Sequence, residues 1–126
     1  MIAAMLLAMA VQTPAPATAA TPEDSEIVVI GRQLRSWRGT WRLRDGKVAC
    51  KTTKSTGDEA VDRIGCQAMI ACIAPKIATI DAIATETKDK ATFQTRLNTV
   101  IQAQTPCFEA ERNQGIASLA ATRGSK

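Results

Sequence analysis

The chain of 126 residues contains no histidine. That absence excludes the Ser-His-Asp and Cys-His arrangements of nucleophilic catalysis. It also removes the commonest nitrogen ligand for zinc, and no C-x2-C pair is present to replace it. A thioredoxin-like redox site wants C-x-x-C as well, and the nearest pair is Cys66-x5-Cys72. The glycines are scattered, so no phosphate-cradling loop exists, and there are no internal repeats. No cofactor or metal is expected, and no catalytic motif stands out.

What is present begins with an apolar run, Ile2 to Val11, closed by Pro14 and Pro16. It has the length of a signal-peptide apolar region and falls short of the roughly 20 residues that span a bilayer. No Lys or Arg precedes it, so its basic region is minimal or the true start lies upstream. Ala17-Thr18-Ala19 fits the small-x-small cleavage form. Residues 1–19 are therefore expected to be a signal peptide, with cleavage after Ala19 (Ala10 or Ala20 being the alternatives) and a periplasmic or secreted mature protein that has no transmembrane span.

Cys50, Cys66, Cys72 and Cys107 form an even set, which in an exported chain points to two disulfides. Cys66 and Cys72 fall on one predicted helix, about 9 Å apart along its axis and on different faces. A disulfide needs Cα atoms within about 7 Å, so these two should not pair with each other. Two connectivities remain, 50–66 with 72–107 or 50–72 with 66–107. The short link between hairpin and helix favours the first.

Charge is concentrated. Glu23, Asp24 and Glu26 make an acidic leader, while residues 32–54 hold eight basic residues against Asp45 alone, a net charge of +7. Beyond residue 54 the two signs cancel. Residues 20–31 read as the acidic leader followed by a short β-branched strand, and 32–126 as one disulfide-stabilised domain. Glu26-Ile27-Val28-Val29-Ile30-Gly31 resembles the TonB box near the mature N-terminus of outer-membrane receptors. The resemblance covers these six residues and implies a Gram-negative envelope. The long barrel of such receptors has no counterpart here.

Asp45-Gly46 lies between two alternating runs and signals a two-residue type I′ hairpin. That turn pairs Arg44 with Lys47, Leu43 with Val48, Arg42 with Ala49 and Trp41 with Cys50. Trp37, Trp41, Leu43, Val48 and Cys50 then share one face, expected to be buried against helices. Arg38, Arg42, Arg44, Lys47 and Lys51 share the other. Thr56-Gly57-Asp58-Glu59 fits a capping box with Thr56 as N-cap. Helices follow on Val61 to Ile73, on Ile77 to Ala84 after Pro75, on Phe93 to Ile101, and from Thr105-Pro106 onward with Phe108, Ile116 and Leu119 inward. Asp58, Glu59 and Asp62 read as charges at a positive helix end rather than as acid/base or cation ligands.

The expected fold is α+β: an N-terminal β-hairpin, with Glu26–Gly31 as a candidate third strand, packed on three or four helices. The leading functional expectation is a non-enzymatic envelope protein. Its five hairpin cations would bind an anionic lipid or glycan, or an acidic protein surface; specific nucleic-acid binding is not expected. The second expectation is a protein-protein module, such as an inhibitor or accessory subunit, and an enzyme ranks third.

Overall fold

The computed structural model describes residues 21–124. The expected signal peptide over 1–19 and the new N-terminus at Ala20 lie outside them. Among the described residues the fold is α+β, with five α-helices and one two-stranded antiparallel sheet. The elements run α1 (Pro22–Arg35), β1 (Arg38–Arg44), β2 (Lys47–Lys54), α2 (Glu59–Ile73), α3 (Ile77–Glu86), α4 (Lys90–Gln102) and α5 (Thr105–Gly124).

Of the leader and third strand expected over 20–31, residues 22–31 belong instead to α1. Its start is a capping box. The Thr21 hydroxyl accepts from Asp24 N at 3.1 Å, and the Asp24 carboxylate accepts from Thr21 N at 3.4 Å. Pro22 occupies the first turn, where its missing N–H costs nothing. Ile27–Ile30 favours a strand by local propensity. A helix wins because it places Ile30 and Leu34 on one face, where both are buried. The hexamer that resembles a TonB box is therefore helical.

α1, α2 and α5 enclose the main core, formed by Ile30, Leu34, Trp37, Val61, Ile64 and Ala120. Gly124 abuts Glu23, and Arg123 pairs with Asp58, while Cys72 joins Cys107 at the other end. α5 thus runs antiparallel to both α1 and α2, which sets opposite helix-dipole ends side by side. Ile116 and Leu119 are half-buried against this core, and Phe108 is half-buried nearer the start of α5.

Two helix starts differ from expectation. Asp58, not Thr56, caps α2, its carboxylate accepting from Ala60 N and Val61 N. Thr56 is held away by its own bonds, its hydroxyl donating to Asp62 at 2.7 Å. At α5, helical bonding begins at Gln104, whose carbonyl accepts from Phe108 N at 2.9 Å. Thr105 is already inside the helix and donates its hydroxyl to Gln102 O.

Pro75 sits in a short 3-10 turn, Ala74–Lys76, between α2 and α3. α3 and α4 form a second layer. Ile73, Ile80 and Ile83 are buried there, while Phe93, Leu97, Val100 and Ile101 of α4 are half-buried. The run Glu59–Glu86 is long and apolar enough to cross a membrane by length and composition, with mean hydropathy 1.5. Here its α2 half packs against α1, both strands and α5.

Two disulfides fasten the layers. Cys50–Cys66 ties β2 to α2, with Cα atoms 5.6 Å apart. Cys72–Cys107 ties α2 to α5, at 5.9 Å. Trp37 is only 4% exposed, and its indole N–H donates to Thr52 Oγ1 at 3.0 Å. Trp41 was expected to be equally buried and is only half-buried, because it lies farther out along β1.

Candidate functional site

The hairpin is built by its turn. Asp45 and Gly46 both have positive φ, 53° and 73°, as a type I′ turn demands. The turn sets the pairing Arg44–Lys47, Leu43–Val48, Arg42–Ala49, Trp41–Cys50 and Thr40–Lys51. Between Arg38 and Gly39 the register shifts, so that Arg38 pairs with Lys54 and Gly39 with Thr52, leaving Thr53 as the extra residue of a bulge.

The period-two alternation divides the sheet into two faces. Trp41, Leu43, Val48, Cys50 and Thr52 are half-buried on the side toward α2, where the Cys50–Cys66 bridge pins them. Arg42, Arg44, Lys47 and Lys51 are exposed on the opposite side. None of the four lies in an ion pair among the described residues. Arg44 and Lys47 face each other directly, a like-charge pairing that destabilises a hairpin unless something anionic offsets it.

Arg38, expected beside these cations, has a different position. Its guanidinium Nη1 donates to Arg35 O at 3.0 Å and to Trp37 O at 2.8 Å. It therefore satisfies a carbonyl at the C-terminus of α1, where a cation also meets the negative end of the helix dipole.

Three of the remaining cations, Arg42, Arg44 and Lys51, border a hollow. Ala49 stands opposite Arg42, a small side chain among long ones, and forms the floor. Thr40, Arg42, Arg44 and Lys51 rise around it, with Trp41 and Cys50 also in the wall, enclosing a concavity of about 310 Å³. Thr40 and Ala49 were not singled out from the sequence. The signal for both was the register, which sets them on the cationic side.

The acidic cluster at the start of α2 is spent on structure. Asp58 bonds Arg123 at 2.8 Å, and that bond holds its carboxyl below the usual aspartate range. The Ser55 hydroxyl, followed by the Thr56 N–H and hydroxyl, does the same for Asp62. Glu59 approaches Arg63 at 3.9 Å along the helix. Among the described residues, no three His, Cys, Asp or Glu side chains converge as metal ligands do. Cys107 is held in a disulfide, so its thiol is not a nucleophile.

No protein-family model matches this chain, and no characterised protein or solved structure matches it either, so the hairpin's geometry has to speak for its function.

Proposed function

We propose that the protein is an exported, non-enzymatic component of a bacterial envelope that holds an anionic partner on the outer face of its β-hairpin. One observation carries the reading: Arg42, Arg44 and Lys51 ring the Ala49 floor, exposed and without a carboxylate partner among the described residues. Lys47 extends the positive surface toward the turn. A rigid sheet, disulfide-bonded to α2, keeps these charges together against their mutual repulsion. The partner is an anionic lipid or glycan, or an acidic protein face. Export rests on the apolar run before Ala17-Thr18-Ala19 and on cysteine usage.

Near an anionic bilayer each Lys or Arg contributes about 1 kcal/mol, so four give about 4 kcal/mol at moderate salt. That attraction decays within about 8–10 Å at physiological ionic strength. Cosedimentation with phosphatidylglycerol vesicles should therefore be strong at low salt and weak at high salt, and absent with phosphatidylcholine alone. Replacing Arg42, Arg44, Lys47 and Lys51 together by Gln should abolish it. Wild-type protein that ignores anionic vesicles, lipopolysaccharide and acidic proteins at low salt would overturn the proposal.

The protein-protein reading included strand addition by Glu26–Gly31 to a partner's sheet. Those residues spend their backbone groups within α1, so they offer no strand edge.

A further inference from the structure

The seven glycines divide by what holds them in place. Gly46 and Gly57 have positive φ. At Gly39, Gly65, Gly115 and Gly124 an added Cβ would come within 2.4, 2.5, 2.8 and 3.1 Å of another residue. Gly31 meets neither condition. It lies inside α1, and the nearest atom to a Cβ there would be Ile116 Cδ1 at 4.0 Å, ordinary contact. Glycine weakens a helix interior relative to alanine, and no close approach requires it at this position. Gly31 lines an open cleft between α1 and α5 of about 360 Å³.

The cleft has an apolar floor and a charged rim. Gly31, Leu34 and Ile116 form the floor, and Arg35, Arg112, Asn113 and Glu109 form the rim. Neither arginine lies in an ion pair among the described residues, so two guanidiniums against one carboxylate leave the rim positive. α1 is also graded along its length. Arg32 and Arg35 occupy its last turn. One to two turns earlier Ile27, Val28 and Val29 are 36%, 56% and 47% exposed. Ile27 precedes Gly31 by one turn and shares its side of the helix. From Ile27 to Arg35 the helix rises about 12 Å.

We infer that this cleft binds a single-chain amphiphile with an anionic head. The head sits between Arg35 and Arg112, which match a carboxylate or phosphate in charge and in donor geometry. The chain lies over Gly31, Leu34 and Ile116 and runs toward Ile27. The volume falls within the usual range of small-molecule sites, about 300–1,000 Å³. This site uses none of the hairpin's exposed cations and stands apart from the function proposed above.

The test is calorimetric titration of the whole protein with dodecanoate, dodecyl phosphate, dodecanol and acetate, below micelle-forming concentrations. Both anionic amphiphiles should saturate at about one per chain, with dodecanol and acetate about tenfold weaker or worse. Comparing dodecanoate with dodecyl phosphate identifies the head the site prefers. Gly31→Leu should fill the floor and weaken dodecanoate about tenfold or more, with an unchanged or higher melting temperature. Arg35→Gln with Arg112→Gln should bring dodecanoate down to the level of dodecanol. Arg42→Gln with Arg44→Gln should change nothing. The inference is overturned by non-saturable binding, by full dodecanoate affinity in either the Gly31→Leu or the double Arg35/Arg112 variant, or by loss in the Arg42/Arg44 variant, which would put the ligand on the hairpin. Should Gly31→Leu fail to fold, the cleft was not open space, and that too counts against it.

Discussion

At the scale of single residues, Trp37 sits in a tight slot. Its ring lies between Gly39 and Gly65, where added Cβ atoms would stand 2.4 and 2.5 Å from ring carbons. Backbone closeness, not side-chain bulk, makes this slot, so one methyl group should disturb it. Gly65→Ala should cost about 1–3 kcal/mol by overpacking, and Trp37→Ala about 3–5 kcal/mol, as for a large core aromatic. Trp41→Ala should cost clearly less, because that ring is only half-buried. Urea unfolding of the three variants measures the order, and a Gly65→Ala protein as stable as wild type would contradict the slot. A second residue-level expectation concerns acid. Asp58, Asp62 and Asp89 are depressed below 3.8, by the bond from Arg123, the Ser55 hydroxyl and the Thr92 hydroxyl respectively. A carboxyl lowered by folding contributes stability above its unfolded value, and that stability disappears as pH falls through the folded one. The urea midpoint should therefore drop as pH is taken below about 3.8, and Asp58→Asn should flatten that drop. Parallel acid curves for wild type and Asp58→Asn would show that the Arg123 bond contributes nothing.

At the scale of elements, legibility followed the range of the interactions. The hairpin was readable because its register is fixed by two adjacent residues, Asp45 and Gly46, and alternation on both sides agreed with them. α1 was not readable as a helix. The four β-branched residues Ile27–Ile30 favour a strand locally, and only packing against α2 and α5 makes the segment a helix. The cleft at Gly31 depends on that same long-range packing. The hollow over Ala49 was half legible, since the pairing was expected but its depth depends on how the three long side chains of Arg42, Arg44 and Lys51 splay. α4 has no buried residue and packs chiefly on α3. Hydrogen exchange should accordingly be fastest in α3 and α4 among the helices, and slowest in α2 around Val61 to Ala68. Cys72–Cys107 stands where this layer joins the core. Replacing both cysteines by Ala should cost about 4 kcal/mol on the chain-entropy model for a loop of this size. It should also raise exchange in α4 more than in α1. Equal protection across all five helices would show that the second layer is not a separate unit.

At the scale of the whole molecule, charge is partitioned rather than balanced. The formal net charge is only +4, yet Arg42, Arg44, Lys47 and Lys51 stand together on one face of the hairpin. A concentrated field of one sign opposes the compact state through self-repulsion. Arg42→Gln with Arg44→Gln should therefore leave the melting temperature unchanged or raise it. Arg38→Gln should lower stability, by about 1 kcal/mol or less, because that guanidinium serves the end of α1. A scan in which all three arginines behave alike would erase the distinction between the exposed cations and the one that caps a helix.

The two bridges also have an order. Counted from the N-terminus, the first cysteine pairs with the second and the third with the fourth. The loops they close are consecutive, neither nested nor interleaved. Under the export proposed above, with the amino end entering an oxidising compartment first, Cys66 meets Cys50 before Cys72 has arrived, and Cys107 later finds a single free thiol waiting. Oxidation in order of emergence leads straight to the native pairs, so maturation of this protein should proceed without a disulfide isomerase.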